Sequence, residues 1–259
     1  MYKILTFLLI ILTSITIIGC SEENNLKKST ENTHLTGDFI YRYELTQETY
    51  KINNVTINYP QIIYFKDKVQ ETKINDLIRS EALENFKENV DEDLDLTIEF
   101  KIILKNDNVL SIQYEGLSYL QGASYPNHIF FTTNINMING EKIRLIDLVH
   151  MDEHFIEIYK NGTYMSDRNI ELKQVVLDYI NSLDSPQLIK YFNQADLRNM
   201  EDNPSNVYSL IKEDSLVVSI GVPHAIGDHA EIELEFNQLQ DNIKNLDLWN
   251  LIKKSGLNE

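Results

Sequence analysis

The stretch GASYPN, residues 122–127, contains a serine that could be a catalytic nucleophile. It begins as the G-x-S-x-G turn does, in which Ser is held outward between a strand and a helix. The fifth position of that turn should be glycine, but here it is Pro126, which lacks an N–H and fixes its own φ. Strand patterns lie on both sides, and glycine, proline and asparagine are turn residues. We therefore predict a loop between two strands and no nucleophile at Ser124.

A first histidine pair could bind zinc. His150 and His154 fit the H-x-x-E-H pattern, which presents two histidines to the metal when both lie on one helix. Asp152 has the character of an N-cap for the helix that follows it, because the apolar positions of that helix begin at Phe155. We therefore expect His150 to lie outside the helix and the pair not to form a zinc site.

A second group, His224, Asp228 and His229, also carries side chains that suit zinc. The alternative is a hairpin loop in which Gly227 and Asp228 turn the chain between two strands. The first interpretation implies a metal-dependent envelope hydrolase, and the second implies no metal and no other cofactor. The chain contains no GxGxxG and no GxxxxGK[ST] phosphate loop. We favour the hairpin and predict a protein that is not an enzyme.

The elements that must position these residues follow from hydrophobic periodicity. Runs of β-branched and aromatic residues predict strands at 39–43 and 55–59, with Pro60 ending the second strand. Apolar residues at helical spacing predict a helix over 69–90. Further strands are predicted at 96–102, 109–120 and 129–138, and Asn139-Gly140 predicts a hairpin into 141–145.

The second half of the chain begins with helical patterns over 152–160, 170–182 and 186–194, the last with Ser185-Pro186 at its start. Strands at 207–211, 216–222 and 231–236 and an amphipathic helix over 240–253 follow. In the last strand Ile232, Leu234 and Phe236 alternate with glutamates, which predicts one buried and one wet face. The fold class is therefore α+β: a mostly antiparallel sheet of hairpins with a central helical cluster.

The first twenty residues predict export and lipid attachment. A short positive start precedes the apolar run 4–18, which ends in Ile17-Ile18-Gly19-Cys20. A short apolar run that ends in small residues is typical of a secretory signal. Apolar-x-Gly-Cys is the pattern of a bacterial lipoprotein signal, in which the cysteine is acylated with fatty acids such as palmitate. We predict a signal peptide over 1–19, a lipidated polar tether over 20–37, and one domain over 38–259 at the extracytoplasmic face of the cell membrane.

Composition excludes several classes of protein. Cys20 is the only cysteine in 259 residues, so neither a disulfide framework nor a thiolate metal site is available. The formal net charge of −17, from 40 acidic and 23 basic residues, argues against binding to nucleic acid, whose phosphates need Lys and Arg. A strongly acidic domain favours a basic partner with fast, salt-sensitive association. The alternative is that the charge serves only solubility.

The middle and end of the chain resemble a known family. VLSIQYE (109–115) leads into GASYPN, then NINMINGEKI (134–143) and LIDL (145–148), and VPHAIGDH (222–229) precedes an alternating strand. This order is similar to the extracytoplasmic domain shared by RsiV-type anti-sigma factors and PdaC-type peptidoglycan deacetylases. That domain has a Gly-Ala-x-His-Pro-Asn-like loop, an N-G-type hairpin and an L-x-D-L segment. The resemblance covers roughly 50–240.

The resemblance implies a non-catalytic binding domain, which in RsiV-type proteins is a receptor for lysozyme. Three features depart from the family: Tyr125 replaces the histidine of the loop, only three residues precede the apolar segment, and no T-F-D-D-G deacetylase motif is present. The expected partner is a basic, lysozyme-like protein or cell-envelope glycan. An aromatic anchor ringed by polar groups is typical of interfaces, and the expected contacts are Tyr119, Ser124, Tyr125 and Asn127. A structural envelope protein that only assembles with a neighbour is a further alternative.

Overall fold

The computed structural model describes residues 43–86, 91–165 and 170–253. All of them belong to one compact unit, Ile40–Glu259. The predicted signal peptide, Cys20 and the tether lie outside the described residues, as do four of the five residues of the strand predicted at 39–43. Within the described ranges, no helix is long and apolar enough to span a membrane.

A six-stranded sheet forms the first half of the domain, in the order β1-β2-β3-β4-β5-β6. Its strands are Glu44–Ile52 (β1), Val55–Ile63 (β2), Leu94–Lys105 (β3), Val109–Leu120 (β4), Asn127–Asn136 (β5) and Glu141–Ile143 (β6). Neighbouring strands are antiparallel except β2 and β3, which are parallel over a short stretch. The helix Lys68–Leu83 (α1) connects that parallel pair, and it buries Ile74, Ile78 and Ala82.

Strand β2 passes through Pro60, so the prediction that this proline ends the strand is wrong. β2 pairs with β3 only from Val55 to Ile57, and beyond that point its second edge carries no strand. There the Asn75 amide of α1 takes the place of a neighbouring strand, because it accepts from Ile62 N at 2.8 Å and donates to Ile62 O at 2.9 Å. Pro60 lies two residues before Ile62, on the same edge, where its missing N–H leaves no strand unpaired.

A four-stranded antiparallel sheet forms the second half, in the order β7-β10-β9-β8. Its strands are Thr163–Met165 (β7), Tyr208–Ile211 (β8), Ser215–Gly221 (β9) and His229–Glu235 (β10). The helices Leu145–Leu148 (α2), Glu153–Lys160 (α3), Lys173–Ser182 (α4), Ser185–Asn193 (α5) and Leu246–Lys253 (α6) complete the domain. The predicted α+β class is confirmed. The three-residue strand β7 was not predicted, since so short a segment has no periodicity to detect.

Strand β10 buries Ile232 and Leu234, as its alternation predicts. The opposite face of β10 is less exposed to solvent than the alternation predicts. Glu231 and Glu233 are each about four-fifths buried, because Glu231 pairs with His229 and Glu233 pairs with Lys212. His229, on the same face, contacts the first sheet, because Phe130 of β5 stacks on its ring with 4.8 Å between ring centroids. Alternation of apolar and polar residues shows which face of a strand is more apolar, but it does not show what covers the other face.

Ser209 of β8 joins the two sheets. Its carbonyl accepts hydrogen bonds from Thr132 Oγ1 at 2.5 Å and Asn134 Nδ2 at 2.8 Å, both on β5. Its backbone N–H and its hydroxyl both donate to the carboxylate of Asp196, at 2.6 and 2.8 Å. All four residues are buried, so these bonds replace hydration that the groups lose on folding. The contact fixes the second sheet, and the loops it carries, against β5.

The two ends of the first sheet differ in the connections between their strands. The loop between β4 and β5, residues 121–126, defines the loop end. The turn between β3 and β4, residues 106–108, and the turn between β5 and β6, residues 137–140, define the turn end. β4 and β5 are paired along their length, so the two ends lie at opposite extremes of these strands.

Candidate binding site

The β4–β5 loop joins strand to strand, as predicted for GASYPN. Gly122 has a φ of +88°, a conformation that favours glycine, and Ala123 N donates to Leu120 O at 2.9 Å to form the turn. Ser124 is exposed in this loop. A nucleophile elbow needs the start of a helix after the serine to supply oxyanion donors, and here β5 follows instead.

The β9–β10 loop is closed by a hydrogen bond from Val222 N to Asp228 O at 2.9 Å. A short 3₁₀ turn, His224–Ile226, is followed by Gly227 at φ +123° and Asp228 at φ +69°. Asp tolerates this left-handed conformation better than most residues. The prediction that Gly227 and Asp228 turn the chain is confirmed, and the turn directs the Asp228 carboxylate toward the first sheet.

The two loops contact each other at the loop end. The ring of Tyr125 stacks on the ring of His224 with 3.8 Å between centroids and 6° between planes. Asp228 connects them: its Oδ2 accepts from His128 N at 2.8 Å, and its Oδ1 lies 2.9 Å from His224 Nδ1. Sequence motifs about 100 residues apart thus form one unit, which we call the paired loops (residues 121–128 and 222–228).

Tyr125 is 52% exposed, although one face of its ring is covered by His224. Ser124 and Asn127 are exposed beside it in the chain. Tyr119 is only partly exposed and lies on β4, opposite Asp95 of β3. The structure therefore brings three of the four predicted contact residues together within the paired loops and leaves Tyr119 on the adjacent strand β4.

Acidic side chains lie next to the paired loops. Gln121 N donates to Asp93 O at 3.0 Å, which fixes the start of β3 beside the β4–β5 loop. The residues around that point read DEDLD (91–95), and all four acids among them are exposed. We call Asp91, Glu92, Asp93 and Asp95 the acidic rim. Four carboxylates close to an exposed aromatic side chain create a local negative potential.

The three residues considered for zinc separate into two pairs. His224 lies against Asp228, whereas the Nδ1 of His229 is hydrogen-bonded to Glu231. In the described part of the chain, no group of three or more His, Cys, Asp and Glu side chains is arranged to hold a metal ion. The pairs instead fix loop geometry, since His224 supports the Tyr125 ring and His229 supports Phe130.

The other zinc candidate is separated as predicted. Asp152 caps α3 by accepting from Phe155 N at 2.9 Å, and His154 lies on that helix. His150 precedes the cap, and its backbone N–H donates to Asn242 O at 2.8 Å. The two histidines therefore do not share a helix face, which the H-x-x-E-H site requires.

Sequence reasoning did not identify His224 and Asp228 as support for the tyrosine. Both were singled out as metal-ligand types, because a histidine and an aspartate four residues apart carry that chemistry. The contact between loops so far apart in the chain has no local signal. The one indication in the sequence is that GASYPN (122–127) and VPHAIGDH (222–229) are both part of the family resemblance.

Fold and site together define a two-sheet α+β domain with an exposed aromatic side chain held between two loops. No family model matches the chain, and no curated protein matches it. A solved structure of a DUF3298 family member from Bacteroides fragilis is similar, with a TM-score of 0.52 and 14% identity, over 82% of this chain and 98% of that one. A DUF3298 family protein from Pseudomonas aeruginosa has a TM-score of 0.44 and 10% identity, over 78% of this chain and 93% of that one. The first likeness shows a shared fold.

Proposed function

We propose that this protein is a lipid-anchored lipoprotein of the extracytoplasmic membrane face whose domain binds a basic, lysozyme-like protein through the paired loops, without catalysis. The observation that carries the proposal is the Tyr125–His224 stack, which supports one face of an aromatic ring that is half exposed. Interfaces draw much of their affinity from a few aromatic anchors. A side chain that is held by a neighbour before binding loses less conformational entropy on binding.

Charge supports a basic partner. The sequence has a formal net charge of −17, and the acidic rim places four exposed carboxylates next to the paired loops. Opposite charges speed encounter, and salt weakens the effect over ~8 Å at physiological ionic strength. The resemblance to RsiV-type domains points to the same partner class, because lysozymes of the common type are strongly basic.

A binding role is also favoured by the chemistry of the loops. Ser124 lies in a strand-to-strand loop, and the imidazole of His224 already contacts Asp228 and Tyr125. The loop offers no start of a helix after Ser124, which a nucleophile elbow would need for its oxyanion donors. The proposal therefore assigns no catalytic residue and no cofactor to the domain.

Cell-envelope glycan is the second candidate partner. The observation that favours it is an exposed aromatic ring with exposed polar neighbours, Ser124 and Asn127. Sugar rings pack on aromatic side chains and hydrogen-bond to hydroxyl and amide groups beside them. Glycan carries no strong positive charge, so its binding would depend little on the acidic rim or on salt.

Calorimetric titration of the mature chain, residues 20–259, with lysozyme and with purified peptidoglycan fragments tests the proposal. We expect lysozyme to bind and the affinity to fall as salt is raised. Glycan binding that is indifferent to salt would select the second candidate. If neither ligand binds at millimolar concentration, the proposed partner class is wrong.

The lipid anchor has its own test. Several buried acyl chains, at about 0.8 kcal/mol per CH₂, hold a protein firmly on a membrane. Cys20→Ala should abolish labelling by a radioactive fatty acid and normal processing of the signal. The matched control is Ser21→Ala, which keeps the cysteine and should be labelled as the parent is. Labelling that persists in Cys20→Ala would refute the anchor.

A further inference from the structure

Three large apolar side chains are exposed at the turn end of the six-stranded sheet, whereas the loop end exposes four: Ile52, Leu117, Leu120 and Tyr125. Tyr64 is 70% exposed, Val69 is 81% exposed and Ile138 is 52% exposed. They lie around the first turn of α1, because Tyr64 directly follows β2 and the Gln70 side chain donates to the carbonyl of Met137, the neighbour of Ile138. Exposed apolar residues alone are ordinary, and the turn end differs from the loop end in the backbone of Tyr64 and in the place where the chain enters the sheet.

The backbone of Tyr64 adds an independent observation. Its φ of +63° is a left-handed conformation that is uncommon for a bulky residue. This conformation ends β2 and leaves the ring exposed, while the next residue, Phe65, is buried. Strained residues persist where the surrounding structure fixes them, and they concentrate at functional surfaces. The left-handed backbone of Tyr64 is locally unfavourable, and it leaves the tyrosine ring exposed to solvent.

The described part of the chain begins at this same end. Glu44 pairs with Ile63 at the start of β1. Tyr43, just before it, donates from its hydroxyl to Asn106 O at 3.1 Å, and its ring centroid lies 6.1 Å from that of Phe65. The polypeptide therefore enters the sheet next to Tyr64, and 22 residues, 21–42, connect this point to Cys20.

We propose that the turn end lies on the lipid surface, with Tyr64, Val69 and Ile138 in the interfacial layer and the paired loops facing away from the membrane. This inference rests on the lipid anchor at Cys20 in the proposed function. The sequence predicts a polar tether over 20–37, and a flexible chain of that length spans roughly 23 Å on average, so an anchored domain stays within reach of the bilayer. Tethering of this kind raises the effective concentration to the millimolar range, where even a weak surface contact is populated.

The polar neighbours of these side chains suit a neutral interface. Lys68 pairs with Glu71 at 2.8 Å, and Lys73 lies 3.8 Å from Glu141, so these charges are balanced locally. Tyrosine is enriched at the membrane–water interface, and lysine can extend its apolar stem there while its ammonium stays in water. The contact is therefore carried by apolar insertion, with little dependence on anionic lipid.

Lipid is a better occupant of this surface than a second protein. The anchor places the bilayer near the turn end in every molecule, whereas a partner must arrive by diffusion. The arrangement also fits the binding role, because the paired loops lie at the opposite extremes of β4 and β5. A domain resting on its turn end presents Tyr125 outward, toward material that approaches the cell.

Fluorescence quenching can locate the surface. Residues 20–259 contain one cysteine, Cys20, which can be coupled to a maleimide lipid in vesicles whether or not cells acylate it. The only tryptophan, Trp249, is buried and gives a constant background. Tyr64→Trp and Ile138→Trp report on the turn end, and Leu117→Trp, at an exposed position of β4 near the paired loops, is the matched control. The vesicles contain lipid brominated near the glycerol end of the acyl chains.

Interfacial side chains insert ~5–10 Å, which brings a tryptophan within reach of the bromines. We expect the emission of Tyr64→Trp and Ile138→Trp to fall in brominated vesicles, with or without anionic lipid, and the emission of Leu117→Trp to stay at its value in unbrominated vesicles. Equal quenching at both ends, or no quenching at either, would overturn the inference. A concentration-dependent blue shift of Tyr64→Trp without vesicles would also overturn it, since a second copy would then cover this end. Lysozyme titration of the same vesicles tests the proposed partner separately.

Discussion

The ring of Tyr125 lies parallel to the ring of His224, with 3.8 Å between centroids. One ring belongs to the β4–β5 loop and the other to the β9–β10 loop. The contact means that the orientation of the exposed tyrosine depends on the second sheet. Substitutions in either loop should therefore change the orientation of Tyr125 and, through it, the proposed binding of lysozyme.

Tyr125→Ala should weaken lysozyme binding by ~2 kcal/mol or more, the usual loss when an anchor is truncated. That loss is about thirtyfold in affinity and should appear mainly in the off-rate. Calorimetry and surface-based kinetics measure both quantities. Tyr64→Ala, at an exposed tyrosine of the turn end, is the matched control and should bind as the parent does. Tight binding that is unchanged in Tyr125→Ala would keep the partner but exclude the loop.

Asp228→Ala should loosen the paired loops. It removes the acceptor for His128 N and the contact with His224, and it puts alanine at a φ of +69°. We expect the free energy of unfolding to fall by about 1 kcal/mol, because a partly buried donor loses its partner. Urea denaturation measures the loss. Asp228→Asn keeps an acceptor oxygen and tolerates the backbone, so its loss should be smaller. If both variants unfold and bind lysozyme as the parent does, Asp228 does not hold the loops together.

The acidic rim should set the rate of association. Neutralising Asp91, Glu92 and Asp93 together, to Asn, Gln and Asn, should lower the on-rate and flatten its salt dependence, with little change in off-rate. Stopped-flow measurements at low and high salt give both. The control replaces three exposed acids away from the rim with glutamine: Glu153 and Glu157 of α3, and Glu171 just before α4. It changes the net charge by the same amount as the rim variant. Equal effects of the two triple variants would mean that net charge, and not the rim, attracts the partner.

Asp152 should make stability depend on pH in acid. The N–H of Phe155, which donates to its carboxylate, lowers the pKa of that carboxyl; partial burial opposes the shift, and Asn242 and His154 add to it. A lowered pKa in the folded state means that the stabilisation is present above the unfolded value, about 3.9, and is lost as pH falls through the folded value. Asp152→Ala should cost about 1 kcal/mol at neutral pH, the usual loss of an N-cap.

Asp152→Asn is the matched variant for this effect. Asparagine caps helices about as well as aspartate and does not titrate, so its stability near pH 7 should be close to that of the parent. Thermal unfolding from pH 7 to pH 3 should show the parent losing stability relative to Asp152→Asn below about pH 4. A constant difference across this range would show that the carboxylate contributes no charge-dependent stabilisation.

Local patterns determined most of the elements. The strand predicted over 109–120 agrees with β4 at both ends, and Asn139-Gly140 forms the predicted hairpin. Asp152 caps α3 as expected. These features depend on side chains only a few residues apart, so the sequence carries their signal directly. The same locality allowed Ser124 to be placed in a turn and His150 to be placed outside a helix.

Tertiary structure decided what those elements do together. Pro60 stays within β2 because an asparagine from α1, and not a strand, meets that edge. Glu231 is mostly buried because it pairs with His229, whose ring stacks on Phe130 of the first sheet. His224 supports Tyr125 because the hydrogen bonds of Thr132 and Asn134 to Ser209 fix the second sheet against the first. Each outcome depends on contacts between residues far apart in the chain, whose free energy comes from burial and satisfied hydrogen bonds that no short window of sequence contains.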